Sequence, residues 1–242
     1  MNLLVDMGNT RLKWAIDSSP GIVPGQAIDN ANINRNTLIQ SWREISPPEQ
    51  LAIACVSASQ LFDLVVATAN ERWPGIRIIR VLSKAQGFGV VNAYQEPEKL
   101  GVDRWLSMIA GYDRYQNALC IVGCGTAITL DILDASGKHL GGLISPGLRL
   151  MKATLALNVE NLGLNETAYP FGLAKSTDAA IYNGTLSAAC GFIEHALKNQ
   201  PDDLLLLTGG DAETVSSHLS IPAIFDPDLV FRGLSLTLNK QS

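Results

Sequence analysis

The 242-residue sequence predicts an α/β protein made of two similar halves. Three observations predict this. Apolar strand-like runs interleave with helix-period segments along the chain. A strand, glycine turn, strand pattern occurs twice, near the start and again around residue 125. The composition, 47% hydrophobic and 17% charged, is that of an ordinary globular protein long enough to bury a core.

The first occurrence begins with the apolar run Leu3-Leu4-Val5, which ends at Asp6. Gly and Asn between Met7 and Thr10 mark a turn. Leu12, Trp14 and Ile16 then alternate with Arg11, Lys13 and Ala15, the period of a strand. A Walker-type loop would instead carry Gly-Lys-Ser/Thr and open a helix. The second occurrence runs from Leu119 to Val122, turns at Gly123-Cys124-Gly125-Thr126, and continues with Ile128, Leu130 and Ile132 alternating with Thr129 and Asp131. Overlaying the two matches Gly8 with Gly125 and Asn9 with Thr126. The period is far too long for a solenoid. It predicts halves at 1–115 and 116–242 facing a shared cleft, with a linker near Asp113 to Asn117.

Between the repeats, Leu51 to Val56 and Ile76 to Val81 read as strands, and Leu61 to Trp73 and Arg104 to Tyr115 as helices. After the second repeat, Leu140 to Ser145 reads as a strand, with helices over Leu148 to Leu157 and Thr177 to Leu197. Leu204 to Leu207 is a buried strand ending in Thr208-Gly209-Gly210-Asp211. Ser18 to Asn36, Ser46 to Gln50 and Leu162 to Lys175 are rich in turn formers and read as loops.

A formal charge of -5 with no Lys/Arg block argues against nucleic acid or an anionic membrane as partner. No apolar run is long enough to span a bilayer, and the N-terminus lacks signal-peptide features, so the expected location is cytoplasmic. Cys55, Cys120, Cys124 and Cys190 form no Cys-x-x-Cys pair and read as inert buried thiols.

Four segments carry candidate chemistry. In Asp6 to Lys13, glycine permits close backbone approach to a phosphate, and turn N–H groups can cradle its oxygens. Asn9 and Thr10 add short donors, Lys13 a point charge, and Asp6 a carboxylate for magnesium. A plain hairpin turn fits the same residues. Gly125 and Thr126 suit a second phosphate contact or a buried glycine turn. Asp131, in an otherwise apolar strand, must be solvated, paired or metal-bound. Asp103 fits either a helix cap or a general base for a hydroxyl, with Arg104 beside it to grip a carboxylate. Thr208 to Ala212 fits close approach of a base or ribose, or a strand-to-helix turn.

Taken in order, these segments resemble the type III pantothenate kinases of the acetate and sugar kinase/heat-shock protein 70/actin superfamily. The resemblance rests on Asp6-x-Gly8-Asn9-Thr10, then Asn92-x-Tyr94-x-x-Pro97-x-x-Leu100-Gly101-x-Asp103-Arg104, then Gly125-Thr126-Ala127-x-Thr129-x-Asp131. Gly141-Gly142-x-Ile144-x-Pro146-Gly147, Ser176-Thr177-x-x-Ala180-Ile181-x-x-Gly184 and Thr208-Gly209-Gly210-Asp211 complete it. It implies two actin-like (ribonuclease H-like) halves and ATP-dependent phosphorylation of pantothenate, the first step of coenzyme A synthesis. It implies ATP binding by Asp6, Met7, Gly8, Asn9, Thr10, Arg11, Leu12 and Lys13, with Thr126. Pantothenate would meet Tyr94, Gly101, Val102, Asp103, Arg104 and Thr177, with Asp103 as proton acceptor. It also implies magnesium, activation by potassium or ammonium, and a homodimer with the substrate pocket at the subunit interface. In two places the chain departs from the pattern. The family's second turn usually begins with an Asp associated with the monovalent cation; here it is Gly123, which leaves Asp131 or backbone carbonyls to compensate. Ser176 stands where the family often has Asn. Two other readings remain: a related kinase for another small hydroxy acid or sugar, and a non-catalytic regulator of the same fold.

Overall fold

The structure is a computed structural model and describes all residues except 20, 58, 159–164, 166, 199, 201–202 and 240–242. The chain divides into two compact units, Met1–Arg114 with Asp228–Ser242, and Tyr115–Pro227.

The first unit contains β1 (Asn2–Met7), β2 (Arg11–Ser18), β3 (Gly21–Pro24), β4 (Ile28–Asp29), α1 (Arg35–Ser41), β5 (Gln50–Cys55), α2 (Ser59–Arg72), β6 (Arg77–Arg80), the short strands β7 (Gln86–Gly87) and β8 (Val90–Val91), and α3 (Val102–Tyr115). Its main sheet has the order β3-β2-β1-β5-β6, with β4 added on β2. β1 is antiparallel to β2 and parallel to β5. Side chains alternate across the sheet, so Leu3, Val5 and Met7 share one face. That face packs with Leu12, Leu51 and Ile53 against Leu38, Trp42, Val65, Ala69 and Trp73, which lie on or beside α1 and α2. Burying each Leu or Ile here stabilises by about 2 kcal/mol. Trp42 and Trp73 stack at 5.6 Å between ring centroids. Asn34 starts α1 through a capping box with Thr37, each side chain taking up the other's backbone N–H.

The second unit contains β9 (Leu119–Cys124), β10 (Ala127–Leu133), β11 (His139–Pro146), α4 (Leu148–Asn158), α5 (Thr177–Leu197), β12 (Leu204–Thr208), α6 (Ala212–Ser216) and β13 (Ile224–Phe225). Its sheet order is β11-β10-β9-β12-β13. The connectivity repeats that of the first unit: an antiparallel meander, β9-β10-β11 for β1-β2-β3, followed by parallel neighbours, β12-β13 for β5-β6. Val122, Cys124, Ile128, Leu130 and Leu207 pack against Leu186, Ala189 and Ile193 of α5.

The final helix, α7 (Leu229–Asn239), packs on β1 and β5. It covers the face opposite α1 and α2, the side on which Leu4 and Asp6 alternate out of β1. It crosses α3 so closely that a Cβ on Gly233 would lie 2.4 Å from the Leu106 carbonyl oxygen. The sequence reading assigned everything after residue 115 to the second half; the contacts instead return Asp228 onward to the first unit. The expected linker at Asp113 to Asn117 is in part the last turn of α3. Ser18 to Asn36, read as loop, holds β3, β4, a 3-10 turn at Asn30–Asn32 and the start of α1. Part of the loop expected over Leu162 to Lys175 lies outside the described residues. No helix among them is long and apolar enough to cross a membrane.

Candidate active site

In the first hairpin Met7 pairs with Leu12 and Asp6 with Lys13, leaving Gly8 to Arg11 as the turn. The Gly8 N–H donates to the Arg11 carbonyl at 3.0 Å. Asn9, Thr10 and Arg11 are exposed, and Arg11 sits 3.9 Å from Asp29. Asn30 secures the turn from a distance: its Nδ2 donates to the carbonyls of Gly8 and Asn9, both at 2.9 Å, and its backbone N–H donates to Thr10 O at 2.8 Å. The sequence reading missed Asn30. It sits in a turn-rich stretch, and nothing in the spacing announces a contact reaching back to residue 8.

Asp6 is buried in the middle of a sheet edge-to-edge paired on both sides, by Lys13 and by Ala54. Burial pushes its carboxyl up to about 6, Lys13 pulls the other way, and the charge of Asp103 raises it further. Asp103 is thus within electrostatic reach of Asp6.

Asp103 lies in the first turn of α3, where the helix dipole favours a carboxylate. Its Oδ1 accepts the Arg104 N–H at 2.9 Å. A Cβ on Gly101 would lie 2.6 Å from that same Oδ1, so the glycine makes room for the carboxylate. Val102 is buried as well. Arg104 is also buried; its Nη1 donates to the Tyr94 hydroxyl at 2.9 Å, and the guanidinium lies 5.6 Å from that ring's centroid. Asn92 organises the segment: its Oδ1 accepts the Tyr94 N–H, while its Nδ2 reaches the carbonyls of Lys84 and Pro97. Sequence reading placed Asn92 in the motif without giving it this work.

In the second hairpin Cys124 pairs with Ile128 and Gly123 with Thr129, so Gly123 occupies the place of Asp6 and the turn is one residue shorter. Thr126 is exposed at its tip. Gly147 N–H donates to Thr126 O at 3.0 Å, and Asp211 N–H to Cys124 O at 3.1 Å. A Cβ on Gly147 would lie 2.0 Å from the Gly125 carbonyl, and one on Gly209 would lie 2.3 Å from that of Cys124. The Gly147 and Gly209 turns thus close around the hairpin. Burial pushes the Cys124 thiol up to about 12, so it is protonated at neutral pH and is no nucleophile.

Asp131, offered by the sequence as a metal ligand, sits further along β10 and is buried 2.9 Å from His139 Nε2. Among the described residues no group of three or more His, Cys, Asp or Glu could hold a metal. Thr177 is the first residue of α5 and borders a cavity of about 570 Å³, shared with Pro146, Met151, Leu155, Ala180 and Ile181.

Two copies of one sheet topology, each with a pinned small-residue hairpin turn, define an actin-like fold. Solved structures share it. The chain covers 99% of itself and 98% of a Baf family transcriptional activator from Campylobacter jejuni at 22% identity and TM-score 0.62. It likewise covers 99% of itself and 98% of a 2-dehydro-3-deoxygalactonokinase protein from Sinorhizobium meliloti at 14% identity and TM-score 0.52. The family model for type III pantothenate kinase matches residues 2–199. A type III pantothenate kinase of Nitrosococcus oceani is 38% identical over 97% of this chain and 92% of its own length. The chain belongs to the type III pantothenate kinase family.

Proposed function

We propose that the protein transfers the γ-phosphoryl group of ATP to the terminal hydroxyl of pantothenate, opening coenzyme A synthesis in the cytoplasm. The observation that carries this reading is the α3 N-terminus. There a carboxylate, Asp103, stands next to a buried arginine clamped on a tyrosine, and its charge is felt at Asp6, on β1 just before the hairpin turn. Arg104 and Tyr94 grip a substrate that has both a carboxylate and an apolar body, with Gly101, Val102 and Thr177 completing its contacts. Met7 to Lys13 and Thr126 bind ATP.

In the reaction the substrate hydroxyl oxygen bonds to the γ-phosphorus as the bond to the β–γ bridging oxygen breaks, and ADP departs. The transition state is loose, so orientation and charge matter most. Asp103 orients the hydroxyl and accepts its proton late. The turn N–H groups hold the phosphates still.

Asp6 fits magnesium. It is a buried carboxylate at a strand end whose ionised form burial disfavours, and a divalent ion would offset that cost. When bound, magnesium neutralises phosphate charge. The residues present do not fit the family's monovalent-cation site, because Gly123 supplies no carboxylate and Asp131 is engaged with His139. The protein acts as a homodimer in this reading. Leu140, Leu143, Ile144 and Leu150 are exposed on β11 and α4, close in sequence to the Thr177 cavity's Pro146 and Met151.

ADP release measured with ATP, magnesium and pantothenate tests the proposal. Turnover that depends on pantothenate supports it. A second reading, a regulator that keeps the fold, draws on Gly123 alone; nucleotide binding with no turnover on any hydroxy-acid or sugar acceptor would favour it.

A further inference from the structure

The residue that shapes the first hairpin turn, Asn30, lies outside the motifs on which the family resemblance rests. In a trans peptide the C=O and the following N–H point in opposite directions. Fixing the Gly8 carbonyl therefore fixes the Asn9 N–H on the other side of the turn, and fixing the Asn9 carbonyl does the same for Thr10. Both hydrogens of one carboxamide, Asn30 Nδ2, are spent on these two carbonyls at 2.9 Å each.

The second hairpin shows that the job is a general one. There the carbonyl of Thr126, the counterpart of Asn9, accepts from the Gly147 backbone N–H, and the carbonyl of Cys124 accepts from Asp211. In each half, a turn carbonyl and its neighbours are held by donors from a distant segment. In the first half a side chain does this, and a side chain can be removed by substitution.

We infer that Asn30 is a positioning residue for nucleotide binding: its carboxamide holds the Gly8 and Asn9 carbonyls back and so sets the peptide planes of the turn, presenting the Asn9 N–H to the ATP phosphates. The inference rests on the phosphate-binding reading of Asp6 to Thr10. It goes beyond a role in folding, because the backbone N–H of Asn30 bonds Thr10 O at 2.8 Å and the pairing of β4 with β2 runs through Arg11 and Leu12. Both links survive truncation of the side chain.

The test is steady-state kinetics on the full chain with Asn30→Ala, Asn30→Asp and Asn32→Ala, alongside thermal unfolding. Asn30→Asp keeps the size and removes both N–H donors, so it serves if Asn30→Ala folds poorly. Asn32 lies in the same 3-10 turn, is exposed, and serves as the control. Loss of two hydrogen bonds predicts a KM for ATP raised roughly tenfold or more in both Asn30 variants, with the KM for pantothenate within about twofold of wild type. Amide hydrogen exchange at Asn9 and Thr10 in the unliganded protein rises as well. An unchanged KM for ATP overturns the inference. So does an equal rise in both KM values, which marks a structural role. A wild-type protein with no saturable ATP dependence would instead overturn the phosphate-site reading, and this inference with it.

Discussion

The Arg104 guanidinium donates to the Tyr94 hydroxyl at 2.9 Å and lies 5.6 Å from the centroid of the same ring. One tyrosine thus fixes both the edge and the plane of a buried arginine. A planar, oriented guanidinium is suited to two-pronged recognition of a carboxylate, and a lysine is not.

Arg104→Lys should therefore raise the KM for pantothenate by about tenfold or more and leave the KM for ATP nearly unchanged. Tyr94→Phe, which keeps the ring and loses the hydroxyl, should produce a smaller change in the same direction. Equal effects on both substrates would contradict the assignment.

Asp6 makes stability depend on pH. Its carboxyl moves from 3.8 to about 6 on folding, so between those values the folded state holds more proton than the unfolded one. Stability attributable to Asp6 then falls as pH rises through this window and stays low above pH 6. Asp6→Asn should remove that dependence and stabilise the ligand-free protein at pH 7.5 by up to about 3 kcal/mol. Urea unfolding of both proteins at pH 4 and pH 7.5 measures it; a variant less stable than wild type at pH 7.5 would contradict this account.

Gly147 and Gly209 leave no room for a side chain against the second hairpin. Gly147→Ala places a Cβ against backbone, which cannot swing aside, and should destabilise by at least about 2 kcal/mol. Gly184, whose added Cβ would meet nothing within 4 Å, is the matched control. Thermal unfolding of the two Ala variants should differ clearly.

The cation prediction follows from Gly123. Facing it, Thr129 Oγ1 lies 2.8 Å from where a Cβ would stand. Replacing potassium by sodium or by a bulky organic cation should change turnover by less than about twofold, since Gly123 offers no carboxylate to hold the ion. A rise of tenfold or more with potassium or ammonium would show that other oxygens complete the site.

Much of the fold was legible because it is local. The hairpins show as alternation interrupted by glycine, and α5 shows as an uninterrupted run from Thr177 to Leu197 with the same limits in the structure. The repeat was visible as matched turns, and the sheet order extends it to whole layers. What sequence did not show is long-range pairing. Asp131 announced that a buried acid needs a partner, but not that the partner is His139. The return of α7 to β1 depends on which apolar face is left uncovered, which no local pattern encodes. Asn30 was hidden for the same reason: its value lies in reaching Gly8 and Asn9 across a gap of about twenty residues.

The central claim is that Asp103 takes the proton of the substrate hydroxyl during phosphoryl transfer from ATP to pantothenate. The most direct measurement is pantothenate-dependent ADP release by wild type and Asp103→Asn, with thermal unfolding and ATP binding as controls. The account predicts a wild-type rate that requires pantothenate, and a loss of at least about a hundredfold in kcat for the variant with fold and ATP binding retained. A variant rate within about threefold of wild type, or a wild-type rate indifferent to pantothenate, would contradict it.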